Sequence, residues 1–419
     1  MNDAKVGGKI RGKIEAFSGK LSRGLPKVGQ RLVREVLYGV QSRGSVRLSE
    51  IGRALGETTG MKKVIERLGR GLHRAGLRER VRKNLLEWAA GQIESETLLV
   101  LDPTDISKPY AEKMQYLARV RDGSRKQLRD GYWCCQVVGV RRNSAQVLPL
   151  YQELYSQKAP DFVSENAEIL KAVEAVSQAT GKRGVWVMDR GGDRQEVLER
   201  LLEGGHGFLI RQRGDRHLVC GQGLRSGHEL ASRCRLPYRE TVVKQSGQGE
   251  QVYTLDFGVR KVRLPGFSQK LSLVVVAGLG QQPLLLLTTL AVTGSRKSLW
   301  RVVESYLARW RVEETIRFIK QSYRLEDIRL LTYQRLRTLA VLVMAVAYFA
   351  CVYLGESIRM EILVQHIQRA AKRIYGIAEF RFYAIADGIK QVLYSSPRGI
   401  GKPPPPGISA QLPLPYLTL

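Results

Sequence analysis

The sequence is poor in the residues that build metal centres from sulfur and nitrogen. Its 419 residues include five cysteines and five histidines. Cys134, Cys135, Cys220, Cys234 and Cys351 form no CxxC pair, and the histidines show no ligand spacing. A zinc site and a disulfide framework are therefore not expected, and a reducing compartment is. The adjacent Cys134 and Cys135 lie in an apolar run and read as core. No signal peptide is expected, because the basic first twenty residues lack an apolar segment. The run 338–354 is free of charge and at the low edge of membrane-spanning length. It contains Tyr348, Cys351 and Tyr353 and follows a charged segment, so it reads as a buried helix. A lone membrane span is the alternative.

Acidic residues are also scarce. Lys and Arg number 68 against 39 Asp and Glu, a net charge of +29, and the isoelectric point is near 10.1. With 43% hydrophobic residues this is globular material, long enough for two or three domains. Such an excess of positive charge in a folded chain favours a polyanionic partner, nucleic acid before membrane.

Residues 1–95 carry 21 Lys and Arg against 9 Asp and Glu and look helical. Two short basic helices flank the Gly56 turn, which suits a helical DNA-binding region. From Thr97 the pattern changes to strands at Thr97–Leu101, Tyr132–Val140, Val147–Tyr155, Gly184–Met188 and Gly207–Arg211. Helices are expected at Asn166–Thr180 and Arg194–Leu202. Pro149 marks an edge strand or a bulge. The order β-β-β-α-β-α-β predicts an α/β fold, a mixed sheet with helices on its faces. Residues 213–292 read as a β-rich insertion, with runs at Gln251–Val262, Leu271–Leu279 and Leu284–Leu290 and basic residues that could track phosphates. A second part of the core, 293–356, follows. Gln365–Tyr375 and Phe380–Tyr394 look like C-terminal helices within 357–395, and 396–419 is a Pro-rich tail.

Chemistry concentrates at three carboxylates. Asp102 and Asp189 each end an apolar strand, and strand ends are where sites form in α/β sheets. Asp105 is a second candidate beside Asp102. Asp193 shadows Asp189 and otherwise reads as a helix N-cap. Trp300–Leu325, free of Pro and Gly, reads as one helix. At about 100° per residue it sets Tyr306, Arg309, Glu313 and Lys320 on one stripe with Arg317 beside it. The plainer reading is an i,i+4 pairing of Glu313 with Arg309 or Arg317. Three neighbouring acids repel one another, and a hard divalent cation relieves that strain.

Y306-LA-R309-WRV-E313-ETIRFI-K320, together with LLVLDPTDIS and VWVMDRGGDR, resembles the DDE transposases of bacterial insertion sequences. The match is to the subgroup with a Tyr-x2-Arg-x3-Glu-x6-Lys signature, and it covers roughly residues 95–355. The resemblance implies a ribonuclease-H-like catalytic core (96–212 and 293–356) interrupted by the insertion. It implies that Asp102, Asp189 and Glu313 bind two Mg²⁺ or Mn²⁺ ions and that Tyr306, Arg309 and Lys320, with Arg317, contact DNA. The implied activity is cut-and-paste transposition by a homodimer on paired ends of double-stranded DNA, in the cytoplasm on the bacterial nucleoid. An inactive end-binding repressor and a nuclease of the same fold are the alternatives. Three intact acids argue against the first, and the Tyr-Arg-Lys stripe argues against the second.

Overall fold

The computed structural model describes residues 3–123, 127–142, 144, 146–246, 249–369 and 381–396. Five helices come first: α1 (Asp3–Leu21), α2 (Lys27–Arg43), α3 (Leu48–Leu55), α4 (Met61–Leu72) and α5 (Leu77–Ala90). Their apolar faces are buried at helical spacing, as with Val6, Ile10, Ile14, Phe17 and Leu21 along α1. The α2–α3 turn closes at Gly44, and α3 ends at Gly56. Both glycines are left-handed, at φ 58° and 61°.

The sheet follows. Strands β1 (Leu98–Ser107), β2 (Ala118–Asp122), β3 (Gln127–Val140) and β4 (Val147–Tyr155) precede α6 (Glu165–Thr180), β5 (Val185–Met188), α7 (Gln195–Glu203) and β6 (Gly207–Arg211). Ser164 caps α6 through the Ala167 N–H, and Gly181 ends it. β1 pairs antiparallel with β3 and parallel with β5, and β5 pairs parallel with β6. β4 lies on the far side of β3. The path β4-β3-β1-β5-β6 is the mixed sheet that the alternation of strands and helices predicts, and it has the ribonuclease-H-like form that the resemblance implies. Pro149 occupies β4, which pairs only with β3, beside a register shift at Val137/Val138. An edge position and a bulge are both present there.

Three features differ from the sequence expectation. β2 was not expected, and it takes the stretch of β3 that β4 leaves free. β1 does not end at Asp102 but continues through Pro103 to Ser107. Beyond Val100 it has β3 on one side and no β5 partner on the other, so a residue without an N–H is tolerated. The residues of the insertion also join the main sheet. β7 (His217–Cys220) and β8 (Gly223–Ser226) form a small separate ribbon, followed by α8 (Gly227–Ser232). β9 (Tyr238–Ser246), β10 (Gly249–Val262), β11 (Leu271–Ala277) and β12 (Leu284–Thr288) then extend the sheet from β6 to ten strands, in the order β6-β12-β11-β10-β9.

The chain closes with α9 (Arg296–Leu307), α10 (Trp310–Ser322), α11 (Tyr333–Tyr348), α12 (Glu356–Arg369) and α13 (Phe382–Ser395). The uncharged run forms most of α11 and a π-helical turn, Phe349–Tyr353. This helix is long and apolar enough to cross a membrane, yet most of it is buried inside the fold. It packs on β4, α2 and α5. The N-terminal helices thus share a core with the sheet, and α1 and α2 also pack on α13. The expected helix Gln365–Tyr375 runs beyond the described residues, and so does the tail from 397.

Candidate active site

Asp102 and Asp189 meet through strand register. β1 and β5 pair as Leu98↔Val185, Leu99↔Trp186 and Val100↔Val187. The same register carried two residues further sets Asp102 opposite Asp189, on strands about 5 Å apart where they still pair. Asp189 accepts the Gly191 N–H at 2.7 Å and so caps a 3-10 turn, Arg190–Gly192. Its shadow, Asp193, does not cap α7. It accepts the Arg213 N–H at 2.8 Å and pairs with the Arg216 guanidinium, which ties the start of the insertion to the sheet.

The third carboxylate arrives on a broken helix. Trp300–Leu325 is not one helix: α9 ends at Leu307 and α10 begins at Trp310, with Arg309 at the joint. Tyr306 therefore belongs to α9, while Glu313, Arg317 and Lys320 ride on α10. Arg309 connects the two groups. Its guanidinium donates to Glu313 Oε1 at 2.8 Å, lies 3.9 Å from Asp102 Oδ2, and stands 5.7 Å from the centre of the Tyr306 ring. Tyr306 is buried, with its hydroxyl in the neighbourhood of Arg211 and without a hydrogen bond of normal geometry. The i,i+4 pairing of Glu313 with Arg309 is thus present, and Arg317 pairs instead with Glu314. Lys320 lies 3.7 Å from Asp105 and 3.5 Å from Glu326. Asp105 also accepts the Gly123 N–H at 3.4 Å.

Electrostatics single out Asp102. Burial and the nearby Asp189 raise its pKa to about 7, Glu313 adds to the rise, and Arg309 and Lys320 oppose it. Burial works against the Arg309 charge, but Tyr306, Glu313 and Asp102 outweigh it and move the guanidinium pKa up. The three acids therefore feel one another, and the basic side chains of the signature offset them only in part. Asp102, Asp105, Glu313, Arg317 and Lys320 line a cleft of about 1330 Å³.

The donor set, three carboxylates, suits a hard divalent cation. The spacing is wider than a finished site. Among the described residues no three His, Cys, Asp or Glu side chains stand close enough to share one ion. Glu313 accepts from Arg309 at Oε1, so a metal bound at that oxygen would compete with the pairing.

A family model, "Transposase DDE domain", matches residues 94–350, more than half of the chain. The chain belongs to the DDE transposase family. That span begins just before β1 and ends in the π-helical turn after α11, so it encloses both aspartates, the insertion and the Glu313 helix. DDE transposases act on DNA and generally use divalent metal ions. Among solved structures, the piggyBac transposase in a synaptic complex with hairpin DNA is similar at a TM-score of 0.46 and 10% identity, over 93% of this chain and 78% of that one. No curated protein matches the chain.

Sequence reasoning did not find Lys108 on the cleft wall. Its ammonium is buried, donates to the carbonyl oxygens of Glu326 and Ile328, and has a pKa lowered to about 8 by that burial. Lys108 lies in a polar stretch with no periodic signal, and its partners come from more than two hundred residues downstream.

Proposed function

We infer that this transposase mobilises a bacterial insertion sequence by a cut-and-paste route. It binds the terminal inverted repeats as a homodimer on paired ends, hydrolyses the strand at each end and joins the 3′-hydroxyls to target DNA. The observation that carries this reading is the gathering of Asp102, Asp189 and Glu313 from β1, β5 and α10 in a chain of net charge +29. The acids would hold two Mg²⁺ or Mn²⁺ ions, which supply an activated oxygen nucleophile and a stabilised leaving oxygen.

The chain's own residues do the rest. Asp102 and Asp189 offer rigid ligands because pairing with β3 holds the first and a backbone N–H the second. Glu313 enters from a helix joint and trades its Arg309 partner for the metal site. Arg309, once released, presents a planar fork suited to a phosphate, and Lys320 presents a point charge. Arg317, exposed on the same helix, adds a further phosphate contact. A phosphate taking the place of the carboxylates around these cations is a like-for-like exchange of anions.

The test uses purified protein and a DNA fragment carrying the terminal repeats that flank the gene, with Mg²⁺ or with EDTA, beside Glu313→Gln. Metal-dependent cuts at the repeat ends that vanish in the variant are the expected result. Binding without cutting would instead favour an end-binding repressor, and nicking without joining a nuclease.

A further inference from the structure

The cleft has a second wall that the signature does not explain. Tyr110 lines it with 96% of its surface exposed, and Leu331, 61% exposed, lines the same cleft. An aromatic ring normally buries 150–250 Å² when it packs, so one left in water at the edge of a charged cleft gains almost nothing from the fold. Its backbone, in contrast, is firmly held. The Lys108 carbonyl accepts the Ala111 N–H at 3.1 Å, closing a turn with Pro109 and Tyr110 at its two central positions. The foot of that turn is pinned three times: the Lys108 N–H donates to the Asp130 carbonyl at 2.6 Å, and its buried ammonium grips the Glu326 and Ile328 carbonyls. Pro109 fixes one more torsion. The next strip is tied to the Leu331 segment, since the Gln115 N–H donates to the Leu331 carbonyl at 2.9 Å and the Tyr333 N–H to the Gln115 side chain at 2.9 Å. Tyr110 and Leu331 are thus parts of one stiff lip.

A phosphate has no use for an aromatic and an aliphatic side chain, whereas a nucleobase presents an apolar face that stacks on them. The same cleft supplies the matching charge for the backbone, in Arg317 and Lys320. We propose that Tyr110, backed by Leu331, is a stacking platform for an unpaired nucleobase of DNA lying in the cleft. The platform rests on the reading of the chain as a DNA-acting transposase and adds a contact outside the Tyr-Arg-Glu-Lys signature.

The experiment compares the full-length protein with Tyr110→Ala and Tyr110→Phe on two DNAs, a fully paired duplex and the same duplex with a short unpaired thymine stretch containing 2-aminopurine. The wild type is expected to prefer the unpaired DNA by about tenfold, a single stacked base's contribution, and to quench the 2-aminopurine. Tyr110→Phe keeps both properties because the ring face does the stacking, and Tyr110→Ala loses both. The salt dependence of Tyr110→Ala stays that of the wild type, since no phosphate contact is removed, and its melting temperature is unchanged because the side chain is exposed. Equal preference and quenching by Tyr110→Ala, or failure of Phe to restore them, overturns the platform. Terminal-repeat cleavage is scored separately. Cleavage by the wild type with no effect of Tyr110→Ala on unpaired DNA removes the platform and leaves the transposition reading. Tyr110-dependent stacking without cleavage does the reverse.

Discussion

Two carboxylate sites in this molecule, one at Glu153 and one at Asp102, are built in opposite ways. Glu153 on β4 is 2% exposed and is surrounded by cations. Its Oε1 accepts Arg78 Nη1 at 3.2 Å and Arg337 Nε at 2.5 Å, and its Oε2 pairs with Arg82. Arg78 and Arg82 come from α5 and Arg337 from α11, so one carboxylate fastens the N-terminal helices and the apolar helix to the sheet. Asp102 on β1 is only partly buried, lies among acids and faces Arg309 only at 3.9 Å, with a pKa raised to about 7. The first site is closed electrostatically and has no reason to recruit anything. The second keeps unrelieved negative charge at the mouth of a cleft in a strongly basic protein. Functional sites are found where such charge is left unbalanced, because balance there awaits a metal or a substrate.

That contrast can be broken by substitution. The largest effect is expected for Glu313→Gln, which replaces a ligand oxygen with an amide nitrogen and removes the charge that faces Arg309. Cleavage of terminal repeats falls to background while end binding, measured by gel shift, stays close to that of the wild type. Retained cleavage would remove Glu313 from the site. Next comes Glu153→Ala, which takes from Arg82 its carboxylate partner and leaves Arg78 and Arg337 only their outer partners, Glu79 and Asp161. A loss of about 3–5 kcal/mol in urea unfolding is expected, and a loss below about 1 kcal/mol would show that solvent reaches the cluster.

Asp102→Asn should act in the opposite direction on stability. The folded carboxyl has its pKa raised from an ordinary value near 3.8 to about 7. Between those values the folded protein holds a proton that the unfolded chain has released, so wild-type stability falls as pH rises through that window. The substitution removes the penalty. In the absence of divalent metal its melting temperature should exceed the wild type's at pH 8 and converge with it near pH 4. A constant difference across that range would mean that charge at Asp102 is not what the fold resists. The smallest expected effect is that of Lys320→Ala. The slope of log affinity against log salt for end DNA should flatten by about one unit, the share of a single phosphate contact, and an unchanged slope would place Lys320 off the DNA.

Much of this was written along the chain. β4 and β6 occupy the stretches that their apolar runs marked out, and β5 and α6 begin within one residue of expectation. Burial on both faces produces unbroken apolar runs, which can be read locally. β2 escaped notice because ARVRD, with its alternate residues exposed, lies in a polar stretch and gains strand character only from β3. The break at Arg309 escaped for a different reason. No Pro or Gly announces it, and what rewards the break is the contact of Arg309 with Glu313, Asp102 and Tyr306 together.

The sequence by itself determined the strand-helix alternation, the basic character, and the spacing of Tyr306, Arg309, Glu313 and Lys320, because periodicity, charge and spacing are properties of neighbours in the chain. The tertiary structure alone decided that residues 238–288 continue the catalytic sheet, that Asp102 faces Asp189, that Glu153 binds three arginines, and that Tyr110 stands on a pinned turn at the cleft. Each of these depends on pairing between segments tens to hundreds of residues apart. Such pairing is selected by the burial and hydrogen bonding of the whole fold, and no local stretch encodes it.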